Sequence, residues 1–185
     1  MRGRVSWILA TALLIMSVSA NVYLLLTYRQ IALDRANILA RLAGYIPVYL
    51  GHAENTVHSA IAGNIKDYTL LSSQADPYLR AATDSIRHLK YLDPERRQVW
   101  EDIATAVNEA RYEMSFDRLG VTPKWDTIPP EAAQKLEAIR QLLADLRTAF
   151  PESISYGQHP QVAFDSERVG IAHASAIDYL QKTAR

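Results

Sequence analysis

Two carboxylate–histidine pairs stand four residues apart in this chain, Glu54 with His58 and Asp84 with His88. On a helix such a pair shares one face, an arrangement that can hold a divalent metal. In an antiparallel hairpin turning near Gln74, His58 and His88 come to similar heights. The helical wheel argues against a shared site. With Val57 centred on the apolar stripe, His58 lies about 100° round the helix, and Asp84 lies nearly opposite Ala82, on the solvent side. Di-metal helical bundles use Glu-x-x-His with every ligand pointing inward, and that spacing does not occur here. His52, His159 and His173 have no acidic residue at ligand spacing either. The histidines read as solvated, and no metal or other cofactor is expected.

A second constellation is acidic. Asp102, Glu109, Glu113 and Asp117 fall within about 80° of one another on a helical wheel. Like charges one turn apart repel by roughly 0.2–0.5 kcal/mol per pair, so a compensating charge is expected. Arg140 and Arg147, seven apart on a later helix, are the expected partners across a helix interface; the sharper alternative is a docking face for a basic partner or a divalent cation. Two loops present aromatic side chains, Trp125 among prolines and Tyr156 beside His159. These are candidate partner-binding anchors, set against the plainer role of a tryptophan that plugs the end of a bundle. The tyrosines at 45, 49, 68, 78, 91 and 112 read as core-edge residues with one polar end. No cysteine, G-x-S-x-G elbow, Walker-type loop, dinucleotide fingerprint or H-E-x-x-H motif occurs, so an enzyme is not expected.

The elements that carry these residues read as helices. After residue 28, Ile38, Leu42, Ile46, Tyr49, Ala53, Val57, Ala60, Tyr68 and Leu71 recur at steps of three and four, predicting a first helix over 29–73. Gly44, Pro47 and Gly51 predict a kink or short break in it. Asp76-Pro77 and Asp93-Pro94-Glu95 carry helix-start signals, predicting helices near 77–92 and 94–118, the latter ended by Gly120. Leu136, Ile139, Leu143, Leu146 and Phe150 form a heptad seam over 130–150, and Val169, Ala172, Ala176 and Leu180 mark a last helix over 165–183. No segment alternates as a strand does. The fold class is all-α, with a single N-terminal transmembrane helix followed by an antiparallel bundle of four to five helices.

The transmembrane reading rests on Val5–Tyr28, a run of 24 residues without a charged side chain. As a helix it reaches roughly 36 Å, enough to cross a hydrocarbon core of about 30 Å. Trp7 and the pair Tyr23 and Tyr28 fit the aromatic belts of the two interfaces. The basic leader Met1-Arg-Gly-Arg4 and the small residues Val18-Ser19-Ala20 also resemble a cleavable signal, but the apolar run continues beyond Ala20, which favours an uncleaved anchor over residues 1–28. Arg2 and Arg4 lie before the span and Arg29, Arg35 and Arg41 after it. The count is nearly balanced, but the basic charge on the short N-terminal flank and the signal-like start favour an N-terminus in the cytoplasm and a bundle, residues 29–185, outside it. A secreted bundle cut near Ala20 and a cytoplasmic bundle are the alternatives.

Residues 29–185 hold 18 basic and 20 acidic side chains. That balance gives no clustered positive footprint, so nucleic acid is not an expected partner. The expected partners are the lipid bilayer, through residues 5–28, and a protein partner or a second copy of the chain. The leading function is a membrane-anchored bundle that docks a protein, as a subunit of an envelope complex. The alternative is a bundle that binds a small ligand between helices, since the layout resembles in outline the helical sensing modules of bacterial receptors. Those modules return through a second span to a cytoplasmic output domain, and this sequence has neither.

Overall fold

The computed structural model describes residues 2–151 and 162–184. Among them the chain is helical with no strand: one long apolar N-terminal helix followed by a helical bundle. α1 (Arg2–Ile61) is followed by α2 (Tyr68–Leu92), a single 3-10 turn (Pro94–Arg96), α3 (Arg97–Glu113), the short α4 (Phe116–Leu119), α5 (Pro130–Arg147) and α6 (Ser166–Thr183).

α1 is 60 residues long, or roughly 90 Å at 1.5 Å per residue. Its N-terminal part is exposed and apolar enough to cross a membrane. Its first fully buried residue is Ala40, and from there Ala43, Ile46, Leu50, Ala53, Val57 and Ala60 face the core. Of the kink or short break expected at residues 44–51, the break does not occur. Pro47 sits inside continuous helix, flanked by Ile46 and Leu50, which are both fully buried, so packing holds the geometry that the missing N–H weakens.

The boundary between the first two helices also differs from expectation. α1 ends at Ile61 rather than near residue 73, and Gly63 turns the chain in the left-handed region with φ 77°. The carboxylate of Asp67 then caps α2, accepting from the backbone N–H of Thr69 at 2.8 Å and of Leu70 at 3.2 Å. Asp76-Pro77 therefore lies inside α2. The helix runs through it because Leu71, Ala75, Leu79 and Ala82 stay on one buried face across the proline, while the Asp76 carboxylate meets Arg111 instead of capping. The helix expected over 94–118 is divided as well, with Gly120 (φ 70°) closing α4.

Five long helices surround the core in the order α1, α2, α3, α6, α5 and back to α1. Cross-helix contacts set their directions. Arg35 with the Tyr91 carbonyl and His52 with Tyr78 make α1 and α2 antiparallel. Lys90 with Glu101 and Arg111 with Asp76 do the same for α2 and α3. Arg147 with Glu54, and the field of His58 on Glu137, make α5 antiparallel to α1. Asp102 meets His173 while Glu113 acts on Tyr179, so α6 runs parallel to α3. The last helix is thus inserted between α3 and α5, its predecessors in sequence. Burying each large apolar side chain of this core contributes roughly 1.5–3 kcal/mol.

The two ends of the bundle are closed differently. At the end away from the apolar span, Tyr68 donates its N–H to the Pro123 carbonyl and Trp125 donates its N–H to that of Lys66. At the end nearer the span, Trp100, Phe150 and Phe164 pack ring against ring, with centroids 4.9–6.2 Å apart. The indole N–H of Trp100 donates to Asp93 at 3.0 Å, and Arg96 donates to the same oxygen at 3.1 Å.

Candidate functional site

The acidic face of α3 is compensated, but not by the arginines expected. Arg140 donates to Glu137 on its own helix and Arg147 to Glu54 on α1. The physical reason is the ring order: α5 borders α1 and α6, so its arginines do not face the acidic residues of α3. Arg118, from the short α4, instead folds back to Glu113 at 2.6 Å and Glu109 at 3.1 Å, and Lys135 of α5 approaches Glu113 at 3.9 Å. Asp102 faces α6 and lies 2.8 Å from His173 Nε2, so the histidine expected to lack an acidic partner has one across the helix interface. Asp117 is exposed.

Two neighbours of this face were not visible in the sequence pattern. Tyr179 of α6 is buried next to it, and burial pushes its phenol well above the ordinary tyrosine value, with Glu113 and Glu109 adding to the effect. Arg118 is raised by its hydrogen bond to Glu113 and by the field of both carboxylates. A spacing of five residues from Glu113 and nine from Glu109, across a helix break, gave no periodic cue to Arg118.

Trp125, considered as an exposed anchor, is 6% exposed and packs into the core, and its indole N–H finds no hydrogen-bond partner among the described residues. Plugging the bundle end is the role its burial fits. Tyr156 and His159 lie outside the described residues. Of the carboxylate–histidine pairs, Glu54 is engaged by Arg147, and His88 Nδ1 donates to the backbone carbonyl of Asp84 rather than meeting its carboxylate. Among the described residues no group of three or more potential ligands could hold a metal ion.

Beside the apolar core, a small cavity of about 200 Å³ opens between α2 and α3, lined by Tyr68, Ser72, Asp76, Arg111, Tyr112 and Ser115 among others. Thr83 is the one buried polar side chain among the described residues, and its hydroxyl donates to the Leu79 carbonyl at 2.8 Å. An open groove of about 1060 Å³ lies on the outside, where Gly44, Pro47 and Gly51 of α1 face Arg147 and Thr148 at the end of α5. Tyr45, Tyr49, Tyr78 and His52 form a row of rings along α1 and α2, with successive centroids 4.7–6.5 Å apart. Ile31, Ile38, Tyr45 and Tyr91 are at least half exposed on the part of α1 and α2 nearest the apolar span. Comparison with protein-family models, with curated proteins and with solved structures gives no match.

Proposed function

We propose that this chain is a single-span membrane protein whose helical bundle stands outside the cytoplasm and docks a protein partner, as a subunit of an envelope complex. One observation carries the reading: large apolar side chains remain uncovered on the outside, at Ile31, Ile38, Tyr45 and Tyr91. Exposed apolar residues grouped at one part of a surface favour association. Trp7, Tyr23 and Tyr28, all exposed, support insertion of the intervening apolar stretch.

Crosslinking in intact membranes, followed by mass identification, tests the docking reading; a discrete adduct is expected, and an exclusively monomeric chain would overturn it. A reporter fused after Arg185 and assayed on both sides of the membrane tests the orientation. Activity confined to the cytoplasm would reverse it.

The groove beside Gly51 supports a second reading, a sensor-type bundle that takes a small ligand there. A thermal-shift screen of the solubilised chain examines it. A stabilising compound whose effect disappears in Gly51→Leu would place the ligand in the groove, and the absence of any stabilising compound would set the reading aside.

A further inference from the structure

We infer that two copies of this chain pair in parallel through α1, along a stripe that begins within the apolar span and continues beyond it; the inference rests on the membrane reading above and names a second copy as the partner that covers Ile31, Ile38 and Tyr45. Ser17, Leu24, Ile31, Ile38 and Tyr45 follow one another at seven-residue intervals, and Asn21 and Tyr28 lie one turn after Ser17 and Leu24 on the same face. A seven-residue repeat is the spacing at which two helices remain in contact by winding around each other. Leu24 and Ile38 are 50% exposed, Ile31 51% and Tyr45 55%. The core stripe of Ala43, Ile46, Leu50 and Ala53 lies roughly 100° further round the same helix, so the bundle leaves the seven-residue stripe uncovered.

The neck of α1 sharpens the point. Between Tyr28 and Ala40, the first fully buried residue, the helix runs roughly 18 Å with its bundle contacts confined to one side. Arg35, on the bundle side, donates to the Tyr91 carbonyl at 3.1 Å. A single helix in water gains little stability from its own hydrogen bonds. Scattered exposed apolar residues need no explanation, but a row at constant spacing along a thinly supported helix does.

Three features select a second copy as the occupant. Asn21 sits on the stripe within the apolar span and donates one N–H to the Ser17 carbonyl at 2.9 Å, which leaves its carboxamide oxygen and second N–H to be satisfied. In hydrocarbon these groups are satisfied by a neighbouring helix, and asparagine is complementary to itself across a twofold axis. Insertion of the span places all copies of α1 parallel and at one depth, so identical stripes meet in register. Asp34, which accepts from Gln30 at 3.0 Å, and Arg35, held at the Tyr91 carbonyl, flank Ile31 and Ile38 on opposite sides, so in a parallel pair unlike charges border the seam.

The sequence contains no cysteine, so single cysteines report contact directly. Ile31→Cys and Ile38→Cys, made in the full chain and oxidised in native membranes, are expected to give a disulfide-linked species of twice the chain mass. Arg29→Cys and Ala32→Cys, both exposed on other faces of the neck, are expected to give at least about fivefold less, and Asn21→Leu to lower the Ile31→Cys yield about threefold or more. Equal yields at all four positions, or linkage to a different protein, would overturn the pairing. A chain that resists carbonate extraction from the membrane but links at no position would overturn the pairing while leaving the membrane reading intact. Recovery of the chain in the carbonate supernatant would overturn both.

Discussion

Arg147 donates from Nη1 to Glu54 Oε2 at 2.6 Å, joining residues 93 positions apart. The pair fixes the height at which the last turn of α5 meets α1, at the edge of the external groove. Gly51 lies one turn before Glu54, and a Cβ built there would come to 3.5 Å from Arg147 Cζ, ordinary van der Waals contact. Arg147 is nearly half exposed, so the ion pair contributes about 0–1 kcal/mol and acts mainly on register.

Gly51→Ala is therefore expected to stabilise the bundle. The backbone at Gly51 is helical, a methyl group has room against the guanidinium, and replacing a mid-helix glycine with alanine gains roughly 0.5–1 kcal/mol. Urea denaturation followed by circular dichroism measures the change. A loss of stability would mean that Arg147 needs the space the glycine leaves.

Asp67 and Asp76 should respond differently to removal. Asp67→Ala deletes two hydrogen bonds to the first turn of α2 and is expected to cost about 0.5–2 kcal/mol. Asp76→Ala deletes a partly exposed pair with Arg111 and is expected to cost about 1 kcal/mol or less. The reverse order in denaturation midpoints would place the start of α2 at Pro77 after all.

This contrast shows what was legible in the sequence and what was not. The stripes at three- and four-residue steps identified the all-α class and the buried faces of α5 and α6, because burial imposes that period directly. The start of α2 was obscured because Tyr68 and Leu71 continue the period of α1 across a turn, and Asp76-Pro77 offers a stronger cap signature than Asp67. The charge partners were misread for a topological reason. Asp102 meets His173, and Arg147 meets Glu54, because α6 is inserted between α3 and α5. Charged residues on helix surfaces carry no mark of which neighbour they will face. The bond between Trp100 and Asp93 leaves no periodic signal because it crosses a 3-10 turn, outside any helical period.

The two buried tryptophans provide a paired prediction. Trp100→Phe loses a hydrogen bond to Asp93 as well as volume from the aromatic cluster, whereas Trp125→Phe loses no hydrogen bond among the described residues. A hydrogen bond to a charged group contributes about 1.5–3 kcal/mol, so Trp100→Phe is expected to be the more destabilising by roughly that margin. Equal costs in urea denaturation would remove the Asp93 bond from the account of how the α2–α3 turn is held.

Tyr179 gives the bundle a specific alkaline weakness. Burial, with Glu113 and Glu109 nearby, raises its folded pKa above the unfolded value of about 10, so the folded state disfavours the phenolate. Below that pH the phenol is neutral in both states and its contribution is complete. Above it the unfolded chain releases the proton while the folded chain retains it, and stability falls by up to about 1.4 kcal/mol per pH unit until the folded pKa is reached. Tyr179→Phe removes this one titration and leaves the other nine tyrosines in place. Measured by urea denaturation at pH 8, 10 and 11, the stability of the parent relative to Tyr179→Phe is expected to be constant up to about pH 9 and to decline beyond pH 10. Parallel curves throughout would show that the phenol ionises as readily in the folded bundle as in the unfolded chain, and that the acidic face does not act on it.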